Sequence, residues 1–253
     1  MAEDRYTVVP FSTEKIMVAD GAYLNRYVKL MQTYFELDIA PLRLKLKAAR
    51  KNPKGTVSIV ACLMYCYAQA LDKYKESMAL RGKGNKLYNF EEADAFFPIE
   101  VFNGERKMLW CKIIKGINKK SVYELEQEIK DAANLTKTIT KAERFFFKLP
   151  LWLRNVFYAY MMGTPLLRKF HCGNVYFSSL MHHGDGNTLA YSVASHFHTS
   201  GMLLGMYKHV ANTDGTTSNI LGIALSLDHV ISDGQTMVKL VTEFVHQVDN
   251  FSL

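Results

Sequence analysis

A chain of the α/β class (α+β), in which helices and strands alternate, is predicted by three stretches. Ile220 to Leu227 is an unbroken apolar run of strand length that stops at a polar cluster, His229 to Asp233-Gly234. Behind it, Met237, Leu240, Val241, Phe244, Val245 and Val248 recur at helical spacing, which gives strand, turn and amphipathic helix. From Thr56, Val57 to about Tyr74 is apolar on nearly all sides, the pattern of a long central helix. Ala95 to Val101 and Met108 to Ile114 flank Asn103-Gly104, the strongest short hairpin signal in the chain.

The other elements follow in order. Thr7-Val-Val-Pro-Phe-Ser12 is a short apolar opening. Gln32 to Ile39 alternates like a strand, and Leu42 to Arg50 begins a basic amphipathic helix. Asn52-Pro-Lys-Gly55 and Lys83-Gly-Asn85 read as turns. Ser121-Val-Tyr-Glu124 has capping-box spacing, with Val122, Leu125, Ile129 and Ala132 continuing one apolar face. Asn174 to Leu180, Leu189 to Phe197 and Met202 to Tyr207 read as strands, with a loop at His182–Asn187 and a turn at Asn212–Gly215. Residues 145–162 are aromatic and long enough for a membrane span. Lys148, Pro150 and Arg154 inside the run argue against one. The reading is a helix from about Pro150 that packs on the domain or lines a pocket, with membrane contact through this face as the lesser alternative.

With 253 residues the chain can bury a core without disulfides or metals. At 49% apolar and 22% charged residues it has the composition of a soluble globular protein. No linker or repeat divides it, so one domain over 1–253 is expected. The start, Met-Ala-Glu-Asp-Arg-Tyr, lacks the pattern of a signal peptide, and none of the four cysteines forms a Cys-x-x-Cys pair. Cys62 and Cys66 are expected as buried free thiols in a reduced cytoplasmic setting. The net charge of +7 suits an anionic ligand, but its lysines are dispersed without interleaved aromatics, which argues against nucleic acid.

A histidine at the mouth of a buried strand, followed by a tight Asp-Gly turn, is a favoured place for a general base. His229-x-x-x-Asp233-Gly234 in this strand–turn–helix setting resembles the signature of the CoA-dependent acyltransferases, the superfamily of chloramphenicol acetyltransferase and dihydrolipoamide acyltransferase catalytic domains. Val8-Val-Pro-Phe-Ser, Phe35-Glu-Leu-Asp-Ile39, the helix after Thr56, Phe177-Ser-Ser-Leu180 and Leu203-Leu-Gly-Met206 resemble further segments of that family. The resemblance implies a chloramphenicol acetyltransferase-like two-layer fold, a mixed β-sheet packed with helices, assembled as a homotrimer or a multiple of trimers. It implies acyl-CoA as co-substrate, entering opposite the acceptor in a channel between subunits. It assigns catalytic roles to His229 as general base, Ser178 as oxyanion donor and Asp233 as the residue holding the turn and the ring. Ser178 read without the resemblance is a plain strand serine.

Two departures stand out. Val230 occupies the place of the arginine usual in oxo-acid complexes, and Ser195-His-Phe-His198 replaces an Asn-Pro-Pro loop. No lipoyl domain, subunit-binding domain or Pro/Ala-rich linker is read in the chain. The insert after Phe145 resembles stand-alone relatives more than complex-bound ones. The alternatives are a non-catalytic oligomeric scaffold of the same fold and an antibiotic O-acetyltransferase. His182, His183, His196 and His198 invite a metal reading, but no carboxylate or cysteine completes a set at ligand spacing, so no metal is expected. His196 and His198 are instead candidates for the lining of an acceptor pocket.

Overall fold

The computed structural model describes residues 12–49, 55–103, 106–136 and 139–253. In chain order, helix α1 (Thr13–Leu24) leads to strand β1 (Leu30–Asp38), then α2 (Ala40–Ala48) and α3 (Ile59–Lys73). The two short strands β2 (Leu80–Arg81) and β3 (Leu87–Tyr88) precede the hairpin β4 (Ala95–Asn103) and β5 (Arg106–Ile114). Four helices follow: α4 (Val122–Ala133), α5 (Lys141–Lys148), α6 (Leu151–Met162) and α7 (Pro165–Cys172). The chain then forms β6 (Val175–Ser179), β7 (Ser200–Ala211), β8 (Thr217–Asp228) and α8 (Gly234–Asp249).

Six strands make one sheet in the order β1-β8-β7-β6-β4-β5, and β2 and β3 pair separately. β6 runs parallel to both β4 and β7, while the remaining neighbours are antiparallel, so the sheet is mixed. Alternation along β8 sends Leu221, Ile223, Leu225 and Leu227 to one face, all fully buried. There they meet α3 and α8, whose Leu63, Leu71, Leu240 and Phe244 are also fully buried. Each such side chain contributes roughly 1.5–3 kcal/mol. The opposite face carries Tyr176, Leu203 and Ala224, partly roofed by Phe96, Leu180 and Ala194. A second cluster joins Leu24 and Val28 to Tyr158, Met161, Met162, Cys172 and Phe197.

Local signals set most helix starts. Ser58 caps α3 by accepting from the Ala61 amide, so that helix begins at Ile59 rather than at Thr56. The box at Ser121 and Glu124 forms as its spacing predicts. The same signature at Thr140 and Glu143 starts α5, a helix the sequence reading did not anticipate. α6 begins beyond Pro150 as expected, and no helix among the described residues is long and apolar enough to cross a membrane. The Asn103↔Arg106 register bears out the hairpin, although Gly104 itself lies outside the described residues. Residues 7–11 of the apolar opening and 52–54 of the first turn also lie outside them.

One strand expectation fails. Residues 189–197 form an irregular segment draped over the sheet, pairing only through Ala190 with Met206. Both edges of the start of β7 are already taken, by β6 and β8, so an alternating pattern has no edge left to join. The single pairing falls at the register shift between Leu204 and Tyr207, where Gly205 has no side chain to obstruct it. A Cβ at Gly205 would stand 2.0 Å from the Ala190 carbonyl oxygen.

Candidate active site

β8 ends at Asp228, and His229 follows at once on a short turn. Asp228 is buried and pins this turn. Its Oδ1 accepts from the Lys29 amide at 3.0 Å and from the Val230 amide at 3.2 Å. Its carbonyl oxygen accepts from Ile231 and Ser232, and the His229 amide donates to the Lys29 carbonyl at 2.8 Å. The His229 backbone is therefore tied to both the strand end and the segment before β1.

The His229 Nδ1 lies 3.1 Å from the Ser232 carbonyl oxygen. A carbonyl only accepts, so the proton of the neutral ring belongs on Nδ1 and the lone pair on Nε2. The imidazole is exposed in the single chain, at the edge of a groove of about 420 Å³ lined by Val28, Lys29, Leu30, Met31 and Gln32. Asp233 caps α8, its Oδ1 accepting from the Thr236 amide at 2.9 Å. That bond, above all, holds its carboxyl below the usual aspartate range. The hydrogen bonds of Asp233 thus run to α8, and the bond that orients the ring comes from the Ser232 backbone.

Ser178 lies on β6, on the sheet face opposite α3 and α8, almost buried beside Tyr176. Burial pushes the Tyr176 phenol up to about 12, and the neighbouring Ser178 offsets part of that rise. Ser178 and His229 do not meet within one chain. Leu203 pairs with both Ser178 and Ala224, so those two residues are level across the sheet, two strands apart. His229 lies five residues beyond Ala224. Strand spacing and rise put the two Cα atoms about 20 Å apart, beyond the reach of either side chain.

His196 and His198 are buried on the same sheet face. The His198 amide donates to His196 Nδ1 at 3.2 Å, which leaves His196 Nε2 as the donor to Ser226 Oγ at 2.5 Å. Ser226 in turn donates to the Gly201 carbonyl at 3.1 Å. His198 Nε2 donates to the Cys172 carbonyl at 2.9 Å. Burial, then the nearby Arg168, holds His196 down at about 3, and burial with the His196 neighbour holds His198 well below its ordinary value. The unfolded chain protonates both rings below their ordinary value of 6.5, where the folded chain cannot. Their contribution to stability is therefore complete above that pH and falls as pH drops toward 3, by up to about 1.4 kcal/mol per pH unit per ring. Urea midpoints should drop between pH 7 and pH 5, and the drop should shrink in His196→Gln. An unchanged slope in that variant would contradict the assignment.

No family model and no curated protein matches the chain. Solved structures do. A probable dihydrolipoamide acetyltransferase from Listeria monocytogenes superimposes with a TM-score of 0.65 at 18% identity, over 100% of this chain and 97% of that one. The fold is that of the CoA-dependent acyltransferases. The dihydrolipoamide acetyltransferase of Azotobacter vinelandii shares it with a TM-score of 0.67 at 16% identity, over 97% of this chain and 92% of that one. A chloramphenicol acetyltransferase shares it with a TM-score of 0.53 at 12% identity, over 93% and 94%.

Within this acyltransferase fold, the sequence-predicted residues fall at two separate places, His229 with Asp233 at the end of β8 and Ser178 on β6. Asp228, Tyr176 and Ser226 were missed as parts of the site. Strand alternation was the available signal, since it puts Ser226 and Asp228 on the face away from Leu225 and Leu227. Among the described residues, no group of three or more His, Cys, Asp or Glu side chains could hold a metal ion.

Proposed function

We propose that the protein transfers an acyl group from acyl-CoA to a hydroxyl, thiol or amine acceptor, at a site built from two subunits of a trimer. The observation that carries this reading is the Nδ1 contact of His229 with the Ser232 carbonyl, which leaves Nε2 free to take a proton at the groove.

His229 Nε2 removes the acceptor proton as the acceptor attacks the thioester carbonyl. The negative charge that develops on the carbonyl oxygen receives a hydrogen bond from the Ser178 hydroxyl of a neighbouring subunit. The tetrahedral adduct collapses with loss of the CoA thiolate, to which the imidazolium passes the proton taken from the acceptor. No covalent acyl-enzyme forms. Asp233 acts at one remove, by capping α8 and fixing the turn. In the Azotobacter vinelandii acetyltransferase a serine, a histidine and an asparagine four positions after it are tied to the catalytic mechanism. His229 and Asp233 have that spacing, with aspartate in place of asparagine.

Release of free thiol from acetyl-CoA and longer acyl-CoAs, with alcohol, dithiol and amine acceptors, tests the reading. Ser178→Ala should lower kcat by about 10²–10³, the usual loss for one oxyanion donor. Turnover at the parental rate in that variant would remove Ser178 from the mechanism.

A further inference from the structure

We propose that the cavity walled by α1 and α6 over the outer face of β4 and β5 binds the uncharged, apolar part of a substrate. The cavity measures about 480 Å³, and Met17, Leu24, Phe96, Cys111, Met161 and His196 are among its walls. About 150 Å³ already admits a benzene ring, and small-molecule pockets span about 300–1,000 Å³, so an alkyl chain or a small ring system fits.

The walls leave no charge for an ionic ligand. Asp20 is the one charged side chain there, and its charge is paired: its Oδ2 accepts from Arg154 Nη1 at 2.5 Å and from the Tyr158 hydroxyl at 2.6 Å. The two imidazoles are neutral, each committed to the hydrogen bonds described above. A phosphate or carboxylate entering here would lose its hydration without gaining a partner. An apolar occupant loses nothing of the kind.

The cavity also leads toward Ser178. Tyr176 lines it and stacks on His196, ring centroids 4.9 Å apart and planes 7° from parallel. Ser178 follows two positions along β6 and so lies on the same sheet face as Tyr176, next to the cavity wall. The assignment thus deepens the acyl-transfer reading and rests on it only for what becomes of the bound chain. That chain belongs either to the acyl group of the thioester or to the acceptor.

Gly21 of α1 gives a direct test. It lines the cavity, and a Cβ built on it meets no atom within 4 Å, so a large side chain has room to grow. Replacing a mid-helix glycine also removes a poor helix former, so Gly21→Phe should fold. Ala19→Phe, on the exposed side of α1, adds the same bulk elsewhere. Binding is read as the heat released on mixing, which needs no reporter group in the wall. Octan-1-ol, octanoyl-CoA and acetyl-CoA are titrated into the protein in separate calorimetric runs.

A saturable response to octan-1-ol assigns the cavity to an acceptor. Tighter binding of octanoyl-CoA than of acetyl-CoA, with octan-1-ol silent, assigns it to the acyl chain. In either case the affinity should fall by about tenfold or more in Gly21→Phe, because an overfilled site forces side chains off their rotamers, and should hold in Ala19→Phe. Binding with this pattern but no thiol release from any acceptor would sink acyl transfer and leave the cavity assignment standing. No saturable response to either eight-carbon probe, or equal affinity in Gly21→Phe and Ala19→Phe, overturns the assignment.

Discussion

His229→Ala should lower kcat for acyl transfer by about 10²–10⁴, the range set by a positioned general base. The fold should survive. The ring is exposed, and the turn is held by Asp228, by the Lys29 and Ser232 backbone and by the Asp233 cap, none of which needs the imidazole. Loss of activity with unchanged thermal stability would therefore report chemistry. His229→Gln separates base from hydrogen-bonding group, since its amide can satisfy the Ser232 carbonyl but cannot take a proton at neutral pH. Both variants should be comparably slow. A fast glutamine variant would reduce the ring to a structural part.

Arg154→Met should destabilise the protein by about 3–5 kcal/mol, the cost of leaving one partner of a buried ion pair alone. Arg154 and Asp20 are both almost wholly buried, and their contact links α6 to α1. The Tyr158 hydroxyl still donates to Asp20 after the substitution, which places the loss toward the lower end. In a chain of this size the melting midpoint should fall by about 6–20 °C. Asp20→Leu combined with Arg154→Met removes both charges and should recover much of the loss. A double variant no more stable than the single one would show that packing, not charge, holds these helices together.

The parts of this molecule that were legible in its sequence are those fixed by neighbours along the chain. The run from Ile220, the turn at His229 to Gly234 and the stripe from Met237 to Val248 each carry a local pattern, and β8, turn and α8 follow it. The box at Ser121–Glu124 was readable for the same reason. The Thr140–Glu143 box has the same spacing, but the aromatic run behind it continues from one helix into the next and obscures where the first ends. Residues 189–197 misled because alternation says nothing about whether a strand edge is free. The tie between the His196 ring and Ser226 spans 30 positions, and Asp228 meets Lys29 across 199. No periodicity records such contacts. The buried neutral histidines are likewise a product of tertiary burial rather than of spacing.

The central claim is that one chain cannot complete the site, because about 20 Å of sheet separates Ser178 from His229. Mixing denatured His229→Ala and Ser178→Ala subunits in equal amounts, refolding them together and assaying thiol release tests it most directly. Random trimers in which each site draws on two neighbours should regain about a quarter of the parental activity, since one neighbour pair in four joins an intact histidine to an intact serine. A mixture no more active than the two inactive variants refolded separately would contradict the account.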